Sequence, residues 1–106
     1  MPFTQETLNA FHMTGRMAAC EVPAQRQGFR AFVAVYPPSA EFSGWTVRRF
    51  EIDGDWLSQG YDVSEEEMVA IDIRNVDDLA QVERVLEEWG VSASSFEAPW
   101  KSAFPL

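Results

Sequence analysis

The stretch from Asp62 to Val91, DVSEEEMVAIDIRNVDDLAQVERVLEEWGV, constrains the fold more than any other part of the chain. Within Met68–Arg74, Val69, Ile71 and Ile73 alternate with Ala70, Asp72 and Arg74. A period of two with β-branched residues on one side predicts a half-buried strand whose core face carries those three. The period then changes. Asn75 is a good N-cap, Asp78 stands in capping-box position, and Asp77 and Asp78 fall in a first turn, where the helix dipole favours anions. Leu79, Val82, Leu86 and Trp89 follow at helical spacing, with Val76 and Val85 beside them. Gly90 suits the left-handed position after a helix, and Val91 can then touch Leu86, as in a Schellman motif. The expectation is a helix over about 76–89. Glu87 and Glu88 occupy its last turn, where the dipole disfavours anions by roughly 0.3–1 kcal/mol each. An ordinary solvated face accounts for them; so does a basic partner.

The rest of the chain reads mainly as strands. Residues 3–16 suggest an N-terminal helix, capped by Thr4, with Phe3 stapled to Leu8. Met17–Val22 is a short apolar strand closed by Pro23, and Phe29–Tyr36 is apolar on both faces, as in a central strand covered on both sides or a strand covered by the tail. Trp45–Ile52 is a further strand whose alternation slips at Arg48-Arg49, which suggests a bulge. Asp53-Gly54 is a two-residue hairpin signal with Gly54 at positive φ. It predicts a returning strand, Asp55–Tyr61, with Phe50 facing Leu57 and Glu51 facing Trp56. The tail from Val91 carries Phe96, Trp100, Phe104 and Leu106; Ser94 and Glu97 suit one helical turn before Pro99. These anchors either fold back on the sheet or form an exposed aromatic patch. Short connections favour antiparallel pairing. The class expected is therefore α+β: an antiparallel meander of four to five strands, with the C-terminal helix and an N-terminal helix packed on it.

At 106 residues the chain is one domain over 1–106, large enough for a core without staples. The lone Cys20 excludes an internal disulfide and suggests a reducing compartment. No apolar run reaches spanning length and the N-terminus has no signal-peptide pattern, so a cytoplasmic location away from membranes is expected. Charge is distributed unevenly. Up to Phe50 there are three acids and five bases; from Glu51 onward there are fourteen acids and three bases, within a net charge of −9. This balance repels nucleic acid and anionic membranes and attracts basic proteins, although solubility alone also accounts for it.

Catalytic chemistry has little to stand on. One His and one Cys build no ordinary zinc site, and no register around Asp53, Asp55 and Asp62 meets the EF-hand pattern. Cys20 sits among small apolar residues and His12 lies on another element, so no nucleophile–base pair is signalled. No phosphate-binding or nucleophile-elbow motif occurs. No catalytic residue, metal or cofactor is expected.

A small acidic domain without catalytic groups has the character of a protein inhibitor. It would neutralise a basic partner, as the immunity protein of a bacterial toxin or a phage-encoded inhibitor does, by entering a positively charged cleft. The residues expected to meet the partner are Glu65, Glu66 and Glu67, with Asp77, Glu87 and Glu88, and Trp56 and Trp100 as aromatic anchors. One rival is an adaptor subunit that uses the aromatic tail. Another is a small enzyme or ligand-binding domain with a pocket lined by Trp45, Trp56 and Tyr61.

Overall fold

A computed structural model of the chain describes residues 2–61, 63–102 and 104–105, with only the backbone at Glu65. Helix α1 (Gln5–Met13) comes first, followed by strands β1 (Ala18–Val22), β2 (Phe29–Tyr36) and β3 (Trp45–Asp53). Helix α2 (Gly54–Ser58), a 3-10 turn at Glu65–Glu67, strand β4 (Val69–Val76) and helix α3 (Leu79–Glu88) follow, and two further 3-10 turns lie in the tail. The four strands form one antiparallel sheet in the order β1-β2-β3-β4, the expected meander. The α+β class follows directly.

Strand β2 is buried from Ala31 to Val35 because the sheet is covered on both faces. One core joins Val33, Val35, Trp45 and Val47 to Phe3 and Phe11 of the N-terminal segment and to Val82, Val85 and Leu86 of α3. The other joins Phe32, Phe50 and Ile52 to Met68 and Phe104, with Trp56, Leu57 and Val63 at its margin. The tail serves both. Phe96 enters the first core and Phe104 the second. Between them Glu97 and Ala19 exchange two backbone hydrogen bonds of 3.0 Å along the outer edge of β1. The buried Thr7 hydroxyl donates to the Phe96 carbonyl at 3.1 Å, tying α1 to the same segment. Thus the tail folds back, and of its described aromatic rings only that of Trp100 stays exposed, at 68%. A 3-10 turn at Ala93–Ser95 lies near the helical turn expected before Pro99.

Helix α1 is shorter than 3–16. Thr4 caps it by accepting from the Thr7 amide, and Gly15 at φ 63 turns the chain away. Phe3 packs edge-on against Phe11 at 5.3 Å, while Leu8 lies against the margin of the same core.

Helix α3 begins later than expected. β4 continues through Asn75 to Val76, so Asn75 is a strand residue, and its side-chain oxygen accepts from Thr46 across the strands. Asp78 is the N-cap, accepting from Gln81 N, and the Gln81 side chain in turn accepts from Asp77 N. The C-terminus is as expected. Gly90 has φ 71, its amide donates to the Glu87 carbonyl, and the Val91 amide donates to the Leu86 carbonyl at 2.8 Å. Both bonds of a Schellman motif are present.

Two expectations are overturned. There is no hairpin at Asp53-Gly54 and no strand at Asp55–Tyr61. Asp53 instead caps α2, its carboxylate accepting from Asp55 N at 2.8 Å, and Gly54 does not have positive φ. The pairs Phe50–Leu57 and Glu51–Trp56 therefore do not form across a hairpin. Glu51 is buried instead on the loop after β1, where its carboxyl oxygens accept from the amides of Gln25 and Arg26.

The second correction concerns β4. The register shift opposite Arg49–Glu51 does mark a bulge, but the extra residue is on β4, where Ala70 adopts φ 54. Asp72 and Arg74 lie on the side of α3, and the Arg74 guanidinium reaches Glu88 at 3.2 Å and covers the Trp89 ring. Ile71 and Ile73 point to the other side, beyond the reach of its core, and stand 44% and 49% exposed. They are not the buried face of β4.

Candidate functional site

Between the start of β2 and the end of β3 opens a cleft of about 380 Å³. Phe29 and Ile52 form part of its wall, with Asp53, Asp55, Trp56 and Gln59 on one side and Glu67 and Val69 on another. Three features of the local sequence build it. Asp53 starts α2, which turns Trp56 back toward the sheet margin. Tyr61 then packs against Trp56, with ring centroids 4.6 Å apart and the ring planes tilted by 48°. The 3-10 turn brings Glu67 round, and Ser64 fixes it by donating its amide and its hydroxyl to one carboxylate oxygen, at 2.9 and 2.6 Å. The hydroxyl bond, and after it the amide, hold the Glu67 carboxyl below its usual range, so it is ionised at neutral pH.

Among the described residues no Lys or Arg forms an ion pair with Asp53, Asp55, Glu66 or Glu67. The acids elsewhere are partly neutralised. Arg30 binds Glu21 at 2.6 Å, Arg74 binds Asp72 and Glu88, and Lys101 binds Glu6 at 2.7 Å. The cleft thus combines uncompensated carboxylates with aromatic walls. A Lys or Arg side chain entering it would meet charge at its head and a ring face along its stem.

The residues singled out from the sequence fall into three groups. Trp56 and Glu67 line this cleft, and the exposed Glu66 adjoins it; the side chain of Glu65 lies outside the described residues. Asp77 precedes α3, and Glu87 and Glu88 end it, about 15 Å away at 1.5 Å per residue. They belong to the α3 side of the sheet, whereas Trp56 borders the core on the opposite side. Trp100 lies apart, by the start of β1. Sequence reasoning did not connect Asp53, Asp55, Phe29 and Gln59 with Trp56; the misread turn at Asp53-Gly54 hid that grouping.

A second cleft, of about 310 Å³, lies between α1, the start of β1 and the tail. Ala10, Met13, Met17, Ala18 and Trp100 supply most of its apolar wall, and the Arg16 guanidinium covers the Trp100 ring at 5.6 Å. Trp45 does not share a pocket with Trp56 and Tyr61. It is buried in the core under α3, edge-on to Phe11 at 5.2 Å.

The sulfur of Cys20 is buried, and burial, with a smaller contribution from Glu97, pushes its pKa up to about 12. It carries no thiolate at neutral pH. Among the described residues no group of His, Cys, Asp and Glu could hold a metal ion, and no helix is long and apolar enough to cross a membrane. Comparison with protein-family models, curated proteins and solved structures found no match.

Proposed function

We propose that this protein is a small acidic inhibitor that binds a basic protein partner, in the manner of a toxin immunity protein or a phage-encoded inhibitor. The observation that supports this reading is the cleft at α2, where Asp53, Asp55 and Glu67 line the same cavity as Trp56 and, among the described residues, no cation is paired to them. A basic side chain of the partner would be drawn in by the net charge of −9 and seated on Trp56. The acids of α3 would then act at longer range, on the rate of encounter. The partner is a protein that itself handles anionic substrates, such as a nuclease, because its basic cleft must suit them.

The test is association kinetics with the partner captured from host cells, at two salt concentrations. Glu66→Lys with Glu67→Lys should slow association and flatten its salt dependence. Trp56→Ala should speed dissociation. Glu87→Lys with Glu88→Lys should lower the on-rate only. An on-rate indifferent to salt and to all four charge reversals would overturn the reading.

The exposed pair Met13 and Trp100, flanking an apolar cleft, supports a second reading: an adaptor that docks a partner's apolar side chain. In that case Trp100→Ala would abolish capture and salt would matter little.

A further inference from the structure

We propose that the protein associates with a second copy of itself through the free edge of β4, in one antiparallel register centred on Ile73. The sheet has two edges. On β1 the outer edge is occupied at Ala19, which exchanges both of its backbone hydrogen bonds with Glu97. That exchange also fixes which residues face which way. Ala19 points away from β2, so its partner Ala34 points toward β3, and Arg48, opposite Ala34, points back at β2. By the same alternation Val47 bonds to Arg74 and Arg49 to Asp72, which leaves the N–H and C=O groups of Ile71, Ile73 and Asn75 directed outward from β4. Among the described residues nothing hydrogen-bonds to those groups.

The sequence of this edge is complementary to itself. A two-fold axis through Ile73 sets Ile73 opposite its own copy, Ile71 opposite Asn75, and Asp72 opposite Arg74 on both sides. The outward residues then form about six backbone hydrogen bonds. The charged pairs fall at the non-hydrogen-bonded positions, where side chains approach most closely. Neighbouring registers lose this match. Centred on Ile71, Asp72 meets Ala70; centred on Asn75, Arg74 meets Val76. The usable ladder also ends where the Ile73 register needs it to, at the Ala70 bulge on one side and at Asp77, before the α3 cap, on the other. Ile71 and Ile73, half exposed in one copy, become a four-residue apolar strip across two. A pairing of this length gives a reversible dimer rather than an obligate one.

The test exchanges the charges. Asp72→Arg alone places Arg opposite Arg74, and Arg74→Asp alone places Asp opposite Asp72, so each variant should sediment as a monomer where the native chain dimerises. An equimolar mixture of the two should restore the dimer, because every opposed pair is then Asp with Arg. Ile73→Pro removes an outward N–H and the Ile73 side chain from the apolar strip, keeps the bonds to β3, and should raise the dimer dissociation constant at least about tenfold. Hydrogen exchange on the native chain reads the same edge without any substitution: the amides of Ile71, Ile73 and Asn75 should gain protection as concentration rises. A native chain that stays monomeric, a dimer indifferent to the charge exchanges, or edge amides whose exchange ignores concentration would each overturn the proposal.

Discussion

Gly54 donates its amide to the Gly28 carbonyl at 2.9 Å, and a Cβ at Gly54 would lie 2.9 Å from the same oxygen. The contact joins the start of α2 to the loop after β1 and excludes any side chain at position 54. Gly54→Ala should therefore cost about 1–3 kcal/mol through backbone displacement, and Gly54→Val more. Urea unfolding of both variants checks this. An unchanged midpoint for Gly54→Ala would mean that the loop yields without cost.

Ala70 holds φ 54, a conformation that costs an L-residue roughly 1–2 kcal/mol. Glycine relieves that strain, while its greater freedom in the unfolded chain returns about 0.5–1 kcal/mol of the gain. Ala70→Gly should thus stabilise the protein by about 0.5–1 kcal/mol. A midpoint that moves the other way would show that Ala70 is not strained.

Leu86 is 1% exposed on the buried face of α3, and Leu86→Ala should lose about 2–5 kcal/mol. Asp78→Ala removes the N-cap and should lose about 1 kcal/mol. Asp77→Ala, at an exposed residue before the cap, should lose less than either. Equal losses at Leu86 and Asp77 would mean that α3 is not docked by its apolar stripe.

Burial raises the Cys20 pKa from 9.0 to about 12. The proton is held more tightly in the folded state, so the contribution is fully present below pH 9.0 and is lost as pH rises toward about 12. It amounts to at most roughly 4 kcal/mol. Between those limits the native chain should lose stability faster than Cys20→Ala, measured as urea midpoints against pH. Parallel curves would refute the assignment.

The parts of the fold that were legible in the sequence are those whose local signals have one meaning. The Gly90-Val91 stop of α3 specifies a Schellman motif, and the two-sided apolarity of Phe29–Tyr36 specifies a central strand. Asp53-Gly54 has two meanings. Asp is both a hairpin residue and an N-cap, and only the bond from Gly54 to a residue twenty-six positions earlier selects the helix. The bulge at Ala70 was placed near the right residues but on the wrong strand, because its left-handed position carries no glycine to announce it. The candidate cleft was legible only in part for the same reason. Trp56 and Glu67 could be picked out singly, while Asp53, Asp55 and Phe29 join them through the turn into α2.

The clasp that the tail makes around β1 has a consequence during synthesis. Strands β1, β2 and β3 leave the ribosome long before residues 96 and 104, which complete the cores on their two faces. Until then Val33 and Val35 on one side, and Phe32 and Phe50 on the other, lack their closing rings, and the Ala19 edge lacks its bridge. From the completion of β3 until residues 96 and 104 are in place, the nascent chain therefore carries a two-sided adhesive sheet. Final consolidation waits for Phe96 and Phe104 rather than proceeding with the strands. Slowing translation beyond Val91 should accordingly lengthen the interval in which a chaperone can bind and a protease can cut.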